Sequence, residues 1–184
     1  MVETGKDSLT LGLGVAISGD GNTVIVGGPY DSAVGAAWVF TRLDGVWSQE
    51  GNKLVGNGYV GFPGQGFAVA LSGDGNTAIV GGKFDNGAVG ATWIFTRSNG
   101  VWSQQGSKLV ARGAQGPNVQ QGYTVAISAD GSTALVGGPF DNNSIGAAWV
   151  FVRRQRRRGP YPRGIGSAHG GTKTGVRSAA PTSN

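Results

Sequence analysis

The 184-residue chain contains no cysteine, so disulfides cannot stabilise its fold and the redox environment stays open. No apolar run approaches the roughly 18 residues of a membrane-spanning helix. Residues 1–20 lack the basic start and apolar block of a secretory leader. We therefore expect no transmembrane segment and no signal peptide in this chain.

Catalytic side chains are also scarce. His169 is the only histidine, and without cysteine the common nucleophile and base pairings cannot be assembled. The sequence therefore predicts a protein that is not an enzyme and that uses no cofactor and no metal. The alternative is a glycosidase-like pair of carboxylates brought together from different blades.

Glycine, in contrast, is abundant, with 36 residues, while charged residues make up only 14% of the chain. Glycine adopts positive φ in tight turns without steric cost. The segments between the glycines are short and rich in Val, Ile, Trp and Phe, as strands are. This composition predicts an all-β fold.

The chain is a repeat array. Nearly the same eight residues occur at 15–22, 69–76 and 125–132, and the aspartates of the three copies, Asp20, Asp74 and Asp130, lie 54 and 56 residues apart. Self-similarity at this period is typical of propellers and solenoids.

Each copy divides into four strand-like segments, which in the first copy cover 13–18, 22–27, 35–42 and 46–54. Four strands per unit predict a β-propeller blade, with blades at about 11–55, 65–110 and 121–152. The third copy ends after Phe151, so we expect about eleven strands and an incomplete last blade. Closed propellers usually have about four to eight blades. We therefore expect the chain either to self-associate to complete its propeller or to leave open edges.

Recurring tryptophans mark the third and fourth segments. A Trp and a Phe lie two residues apart in each copy and therefore on one side of a strand, so we expect them to pack blade against blade. These pairs are Trp38 and Phe40, Trp93 and Phe95, and Trp149 and Phe151. Trp47 and Trp102 lie on the fourth segment, where we expect greater exposure.

The recurring Gly-Phe67-Ala-Val, Gly-Tyr123-Thr-Val, Gly-Gly-Pro/Lys and Gly-Ala-Ala/Thr-Trp-Val/Ile-Phe motifs resemble FG-GAP repeats, the blades of integrin-α-type propellers, in the shorter form of bacterial surface proteins. The resemblance covers about residues 11–151. It implies protein binding or cell adhesion and favours an extracellular or cell-surface location. Many such blades bind Ca²⁺ through several carboxylates in one loop. Here each such loop has one aspartate, so no metal site is expected.

The loops between the second and third segments are expected to share one face with the linkers between blades. Each loop carries an aromatic residue followed by an aspartate, which would form an aromatic and acidic rim for a protein or glycan. The candidate ligand-face residues are Tyr30, Asp31, Phe84, Asp85, Phe140 and Asp141. The alternative, which we favour because recurrence in every blade is what a scaffold requires, is structural: an aspartate in each loop can accept backbone N–H bonds and fix the turn.

Charge is distributed unevenly. Residues 1–152 carry seven Lys/Arg against ten acidic residues, a net −3, whereas residues 153–184 carry eight Lys/Arg and no acidic residue, a net +8. This Gly/Pro/Arg-rich segment predicts a disordered basic tail. The candidates for contact with an anionic partner are Arg153, Arg154, Arg156, Arg157 and Arg158.

Three hypotheses for function follow. The leading one is a non-enzymatic binding, adhesion or scaffold module of propeller type. The second is a truncated, non-functional fragment with a frameshifted tail, since Lys173-Thr174-Gly175-Val176 shifted by one base can read Lys-Leu-Val, as at 108–110. The third is nucleic-acid or anionic-surface binding by the tail, with nucleic acid the least favoured partner.

Overall fold

Three antiparallel four-stranded sheets make up the part of the chain that the computed structural model describes, residues 10–153 and 173–176. We number the sheets as blades 1 to 3. Blade 1 consists of β1 (Val15–Ile17), β2 (Thr23–Gly28), β3 (Ala36–Leu43) and β4 (Val46–Gln49). Blade 2 consists of β5 (Ala68–Leu71), β6 (Thr77–Gly82), β7 (Ala91–Ser98) and β8 (Val101–Gln104). Blade 3 consists of β9 (Thr124–Ile127), β10 (Thr133–Gly138), β11 (Ala147–Val152) and β12 (Lys173–Val176).

Within each blade the strands neighbour one another in chain order, as an up-and-down meander. The blades contact one another through their first strands, β1 with β5 and β5 with β9. This is the arrangement of a partial β-propeller with an all-β fold, so the predicted fold class is confirmed.

Burial between blades forms the core. We call the face of a blade that points towards the next blade in sequence its forward face, and the opposite one its rear face. Ile25 of blade 1 is 0% exposed within a cluster that includes Val69 and Leu71 of blade 2. Ile79, the equivalent residue of blade 2, is 0% exposed within a cluster that includes Val136 of blade 3. Each forward face therefore inserts β-branched side chains, Ile25 with Val39 in blade 1 and Ile79 with Ile94 in blade 2, into the rear face that follows.

Two of the three tryptophan and phenylalanine pairs of the third strands pack between blades as predicted. Trp38 and Phe40 of blade 1 lie outside both clusters, and Phe40 is only half-buried, because no described blade covers their face. Trp93 and Phe95 are 0% and 3% exposed in the first cluster, and Trp149 and Phe151 are equally well buried in the second. Trp47 on the outer strand β4 is 41% exposed, which matches its predicted edge position. Trp102 on β8 is more buried, because its indole N–H donates to Glu50 of blade 1 at 2.9 Å.

Glycine allows the blades to approach at backbone distance. A Cβ added to Gly27 would lie 1.9 Å from the carbonyl oxygen of Gly66, and one added to Gly81 would lie 2.3 Å from that of Gly122. Any larger side chain would push successive blades apart. The first glycine of the pair that ends β2 and β6 is therefore required by packing between blades, whereas the second lies against the Trp of its own blade.

One part of the predicted tail is corrected. The third repeat itself supplies three strands, but Lys173–Val176 forms a fourth, β12, paired antiparallel with β11 in the register Phe151 with Lys173 and Ala148 with Val176. The unpaired edge of β11 offers backbone groups that an extended segment can bond. The rest of the predicted disordered tail lies outside the described residues. So do four of the candidate arginines, Arg154, Arg156, Arg157 and Arg158. Arg153 is exposed directly after β11.

Short helical turns connect the second and third strands of the blades. They span Asp31–Ala33, Asp85–Ala88 and Asp141–Ser144. Each begins directly after one of the predicted aromatic residues. In the part of the chain that is described, no helix has the length and apolarity needed to cross a membrane.

We predict that Ile79→Ala lowers the free energy of unfolding by about 3 kcal/mol, because it removes a fully buried side chain from between two blades and leaves a cavity. Val101, which is 67% exposed, provides the control Val101→Ala, expected to change it by less than about 0.5 kcal/mol. Urea denaturation measures both. Equal effects of the two substitutions would contradict the assignment of the core to the inter-blade contact.

Candidate binding site on the loop face

The loops after the second strands and the linkers between blades meet on one face of the array. In blade 2 the Phe84 N–H donates to the Pro63 carbonyl at 3.1 Å, and the Asn86 N–H donates to the Val60 carbonyl at 2.9 Å. The linker from blade 1 therefore lies against the Phe84 loop of blade 2. This is the face on which the sequence analysis placed the candidate ligand residues.

The three aspartates of the predicted rim point inwards, as the favoured structural interpretation requires, and do not form an acidic rim. Asp31, Asp85 and Asp141 are 7%, 0% and 1% exposed. Asp85 accepts the Val60 N–H at 2.8 Å, and Asp141 accepts the Gln115 N–H at 2.6 Å. These carboxylates fix the linkers and loops, which is the structural alternative, and they are unavailable to a ligand.

Lysines complete this arrangement and were missed by the sequence analysis. Lys53 forms an ion pair with Asp31, and Lys108 forms one with Asp85. Both lysines begin a Lys-Leu-Val segment, whose leucine bridges to the third strand of the same blade. The signal was present in the sequence, because a Lys follows the loop aspartate by 22 residues in blade 1 and by 23 in blade 2.

The aromatic half of the rim is continuous. Six rings form a row in which neighbouring centroids are 6.1, 5.7, 6.4, 5.1 and 6.3 Å apart, within the range of favourable aromatic pairs. In spatial order the row is Tyr30, Phe62, Phe84, Phe67, Tyr123 and Phe140. Tyr30, Phe62 and Phe140 are 45%, 38% and 43% exposed. The row crosses all three blades and presents apolar surface to solvent.

Lys83 lies at the middle of this aromatic row. Its Nζ is 3.7 Å from the ring centroid of Phe67, 4.5 Å from that of Tyr123 and 4.7 Å from that of Phe84. Burial lowers the pKa of Lys83. Among the described residues its ammonium forms no ion pair, so the ring faces are its neighbours instead of a carboxylate. A ligand anion placed here would meet a partly desolvated cation.

The repeats carry different residues at the position of Lys83. The equivalent residues of blades 1 and 3 are Pro29 and Pro139. Tyr30, Phe84 and Phe140 were predicted from the sequence as rim residues, whereas Phe62, Phe67, Tyr123 and Lys83 were not. Phe67 and Tyr123 recur in the Gly-Phe/Tyr motif and were therefore detectable. Phe62 has no counterpart in the next linker, so no repeat signal indicated it.

A groove of about 360 Å³ lies between the segment that follows β4, residues 50–57, and strand β8. Its wall includes Glu50, which accepts bonds from Arg97 at 2.8 Å and from Trp102 at 2.9 Å. Arg97 in turn lies 5.4 Å from the Trp102 ring centroid. These contacts join blade 1 to blade 2, so this groove has a structural role.

The three turns that resemble shortened calcium loops are closed by their own hydrogen bonds. Asp20 accepts the Ser18 hydroxyl at 2.5 Å and the Asn22 N–H at 2.9 Å, and Asp74 and Asp130 repeat this pattern. In the described residues no three acidic or histidine side chains converge as a metal site would require. The turn aspartates therefore stabilise hairpins.

Comparison with known proteins assigns no family to this chain. No family model matches the chain, and no curated protein matches it. Among solved structures the chain is similar to the crystal structure of TolB from Acinetobacter baumannii, with 12% identity and a TM-score of 0.44. The match covers 78% of this chain and 30% of that chain, so this chain spans less than a third of that protein. No residue role is carried over from it.

We predict that Asp85→Asn lowers the free energy of unfolding by about 3 kcal/mol, because it leaves the Lys108 ammonium without its buried partner. Asp44 lies in an exposed turn at φ 50°, which Asn also tolerates, so Asp44→Asn is the matched control. Chemical denaturation gives both values. A cost for Asp85→Asn no larger than for Asp44→Asn would show that the carboxylate does not support the loop.

Acid should weaken the hairpin turns. Hydrogen bonds from the Ser128 hydroxyl and then from Ser132 lower the pKa of Asp130 from 3.8 to about 2. A carboxylate with a lowered folded-state pKa stabilises the fold above its unfolded pKa, and this contribution is lost as the pH falls through the folded value. The melting-temperature difference between wild type and Asp130→Asn should therefore be constant above about pH 5 and shrink towards pH 2. Thermal melts across this range test it, and a difference independent of pH would contradict it.

Proposed function

We propose that the chain is a non-enzymatic binding module whose loop face engages a protein or glycan, and that the aromatic row with Lys83 is the contact surface. The observation that carries the proposal is the unbroken row of six rings across three blades with a cation at its middle. The FG-GAP-like motifs support a binding or adhesion role, and with it an extracellular setting. This surface suits a ligand that combines an apolar face with an anionic group.

A non-catalytic role is consistent with the chemistry of the described residues, which include no histidine and no cysteine. The closest hydroxyl and carboxylate pairs, such as Ser18 with Asp20, recur in every blade. Recurrence in every blade is expected of a scaffold. A catalytic pair would need only one copy, so these pairs support a binding module rather than an enzyme.

The second part of the proposal is that the chain self-associates to complete its propeller. The described residues form three blades, whereas closed propellers usually have about four to eight. Blade 1 and blade 3 each leave one apolar face without a neighbouring blade in the described part of the chain. Self-association would cover both.

Ligand binding can be tested with arrays of neutral and acidic glycans and of neutral and acidic peptides. Lys83→Pro gives blade 2 the residue that blades 1 and 3 carry, and it should weaken binding of an acidic ligand about tenfold or more. Phe62→Ser should weaken it by a smaller factor. Calorimetric titration of the best ligand measures the dissociation constants.

Trp47→Ser is the control, because Trp47 is as exposed as the row but lies on the outer strand β4. Its affinity should equal that of wild type. The proposal fails if no ligand class binds, or if Lys83→Pro and Phe62→Ser bind as well as Trp47→Ser does.

A further inference from the structure

The two uncovered faces of the array are the two halves of an interface that the chain already contains twice. Ile25 and Ile79 on the forward faces of blades 1 and 2 are each 0% exposed. Leu135 occupies the same position on the forward face of blade 3 and is 45% exposed. The position that is fully buried in two blades is therefore exposed in the third, because no rear face covers it in the described part of the chain.

The rear face of blade 1 mirrors this situation. Val69 and Leu71 on the rear face of blade 2 are 8% and 9% exposed, beneath the forward face of blade 1. Their equivalents in blade 1, Val15 and Ile17, are 65% and 59% exposed. The surface that receives a forward face is therefore built in blade 1 and left open.

Backbone hydrogen bonds run through the blades in the same direction. The Gly19 N–H of blade 1 donates to the Gly73 carbonyl of blade 2 at 2.9 Å, and the Gly73 N–H donates to the Ala129 carbonyl of blade 3 at 2.8 Å. The next donor in this series is the Ala129 N–H, and the next acceptor of the same type is the Gly19 carbonyl. Both residues are exposed.

We infer that a second copy of this chain docks its blade 1 rear face on the blade 3 forward face, with Leu135 inserted against Val15 and Ile17 and with the Ala129 N–H bonded to the Gly19 carbonyl. The contact is head-to-tail and therefore leaves the same pair of faces free at the other ends. If the two copies face each other across the propeller axis, both contacts form and the ring closes. Two copies supply six blades, within the usual range of closed propellers.

This inference rests on the proposed self-association and specifies its surfaces. Size exclusion with light scattering should give twice the 18.6 kDa subunit, about 37 kDa, and the mass should not rise with concentration once the ring is closed. A monomer at all concentrations would overturn both the inference and the proposed self-association. A mass that grows steadily with concentration would overturn the closed pair.

Two variants identify the faces. Leu135→Asp and Val15→Asp each place a charge in both contacts of the pair and should weaken association about 100-fold or more. Leu43→Asp and Val46→Asp are matched controls, since these residues are 76% and 68% exposed at the tip of the β3–β4 hairpin, outside both faces. Both controls should remain paired. Circular dichroism verifies folding, and Leu135→Ser replaces Leu135→Asp if the latter does not fold.

Mixing the two variants separates this contact from any symmetric alternative. A Leu135→Asp copy keeps an intact rear face and a Val15→Asp copy keeps an intact forward face, so one wild-type contact can form between them. The mixture should recover a mass near 37 kDa although each variant alone is a monomer. If wild type is paired but the variants also pair, or if the mixture stays monomeric, the faces are wrong while self-association stands.

Discussion

Burial of one blade against the next is the contact on which the rest of this structure depends. Ile25 and Ile79 occupy equivalent inter-blade positions and are completely buried. Gly27 and Gly81 near the ends of β2 and β6 allow this contact, because they lack the Cβ atoms that would separate the backbones. Because the chain has no cysteine, no disulfide can reinforce this apolar contact between blades.

Residues that recur in all three repeats belong to the scaffold, whereas residues that occur in one repeat are candidates for function. The buried loop aspartates and the serine-aspartate turns occur in all three copies and satisfy local backbone groups. Lys83 occurs once, in the central blade, where its neighbours carry proline. The aromatic row combines recurring rings with Phe62 from a linker that has no repeat counterpart. The loop face therefore combines residues that recur in every repeat with a few, such as Lys83 and Phe62, that occur in one repeat only.

The strands and their burial were predictable because they follow local rules that repeat three times. The four-segment division, the turn positions and the Trp and Phe pairs all correspond to observed elements. Recurrence in every blade favoured a structural role for Asp31, Asp85 and Asp141, but their partners were not predictable, since an aspartate in a loop has the same local signature whether it faces solvent or a linker amide. The strand β12 was missed because its pairing depends on the free edge of β11 rather than on its own composition.

Amide hydrogen exchange at Ala129 in the purified full chain tests most directly the proposal that a second copy covers the two blade faces left open within one copy. The account predicts that the Ala129 amide exchanges as slowly as those of Gly19 and Gly73, which donate across blades within the chain. Leu135→Asp should restore fast exchange at Ala129 and leave Gly73 protected. Exchange of Ala129 at the rate of a solvent-exposed amide in the wild-type chain would contradict the account.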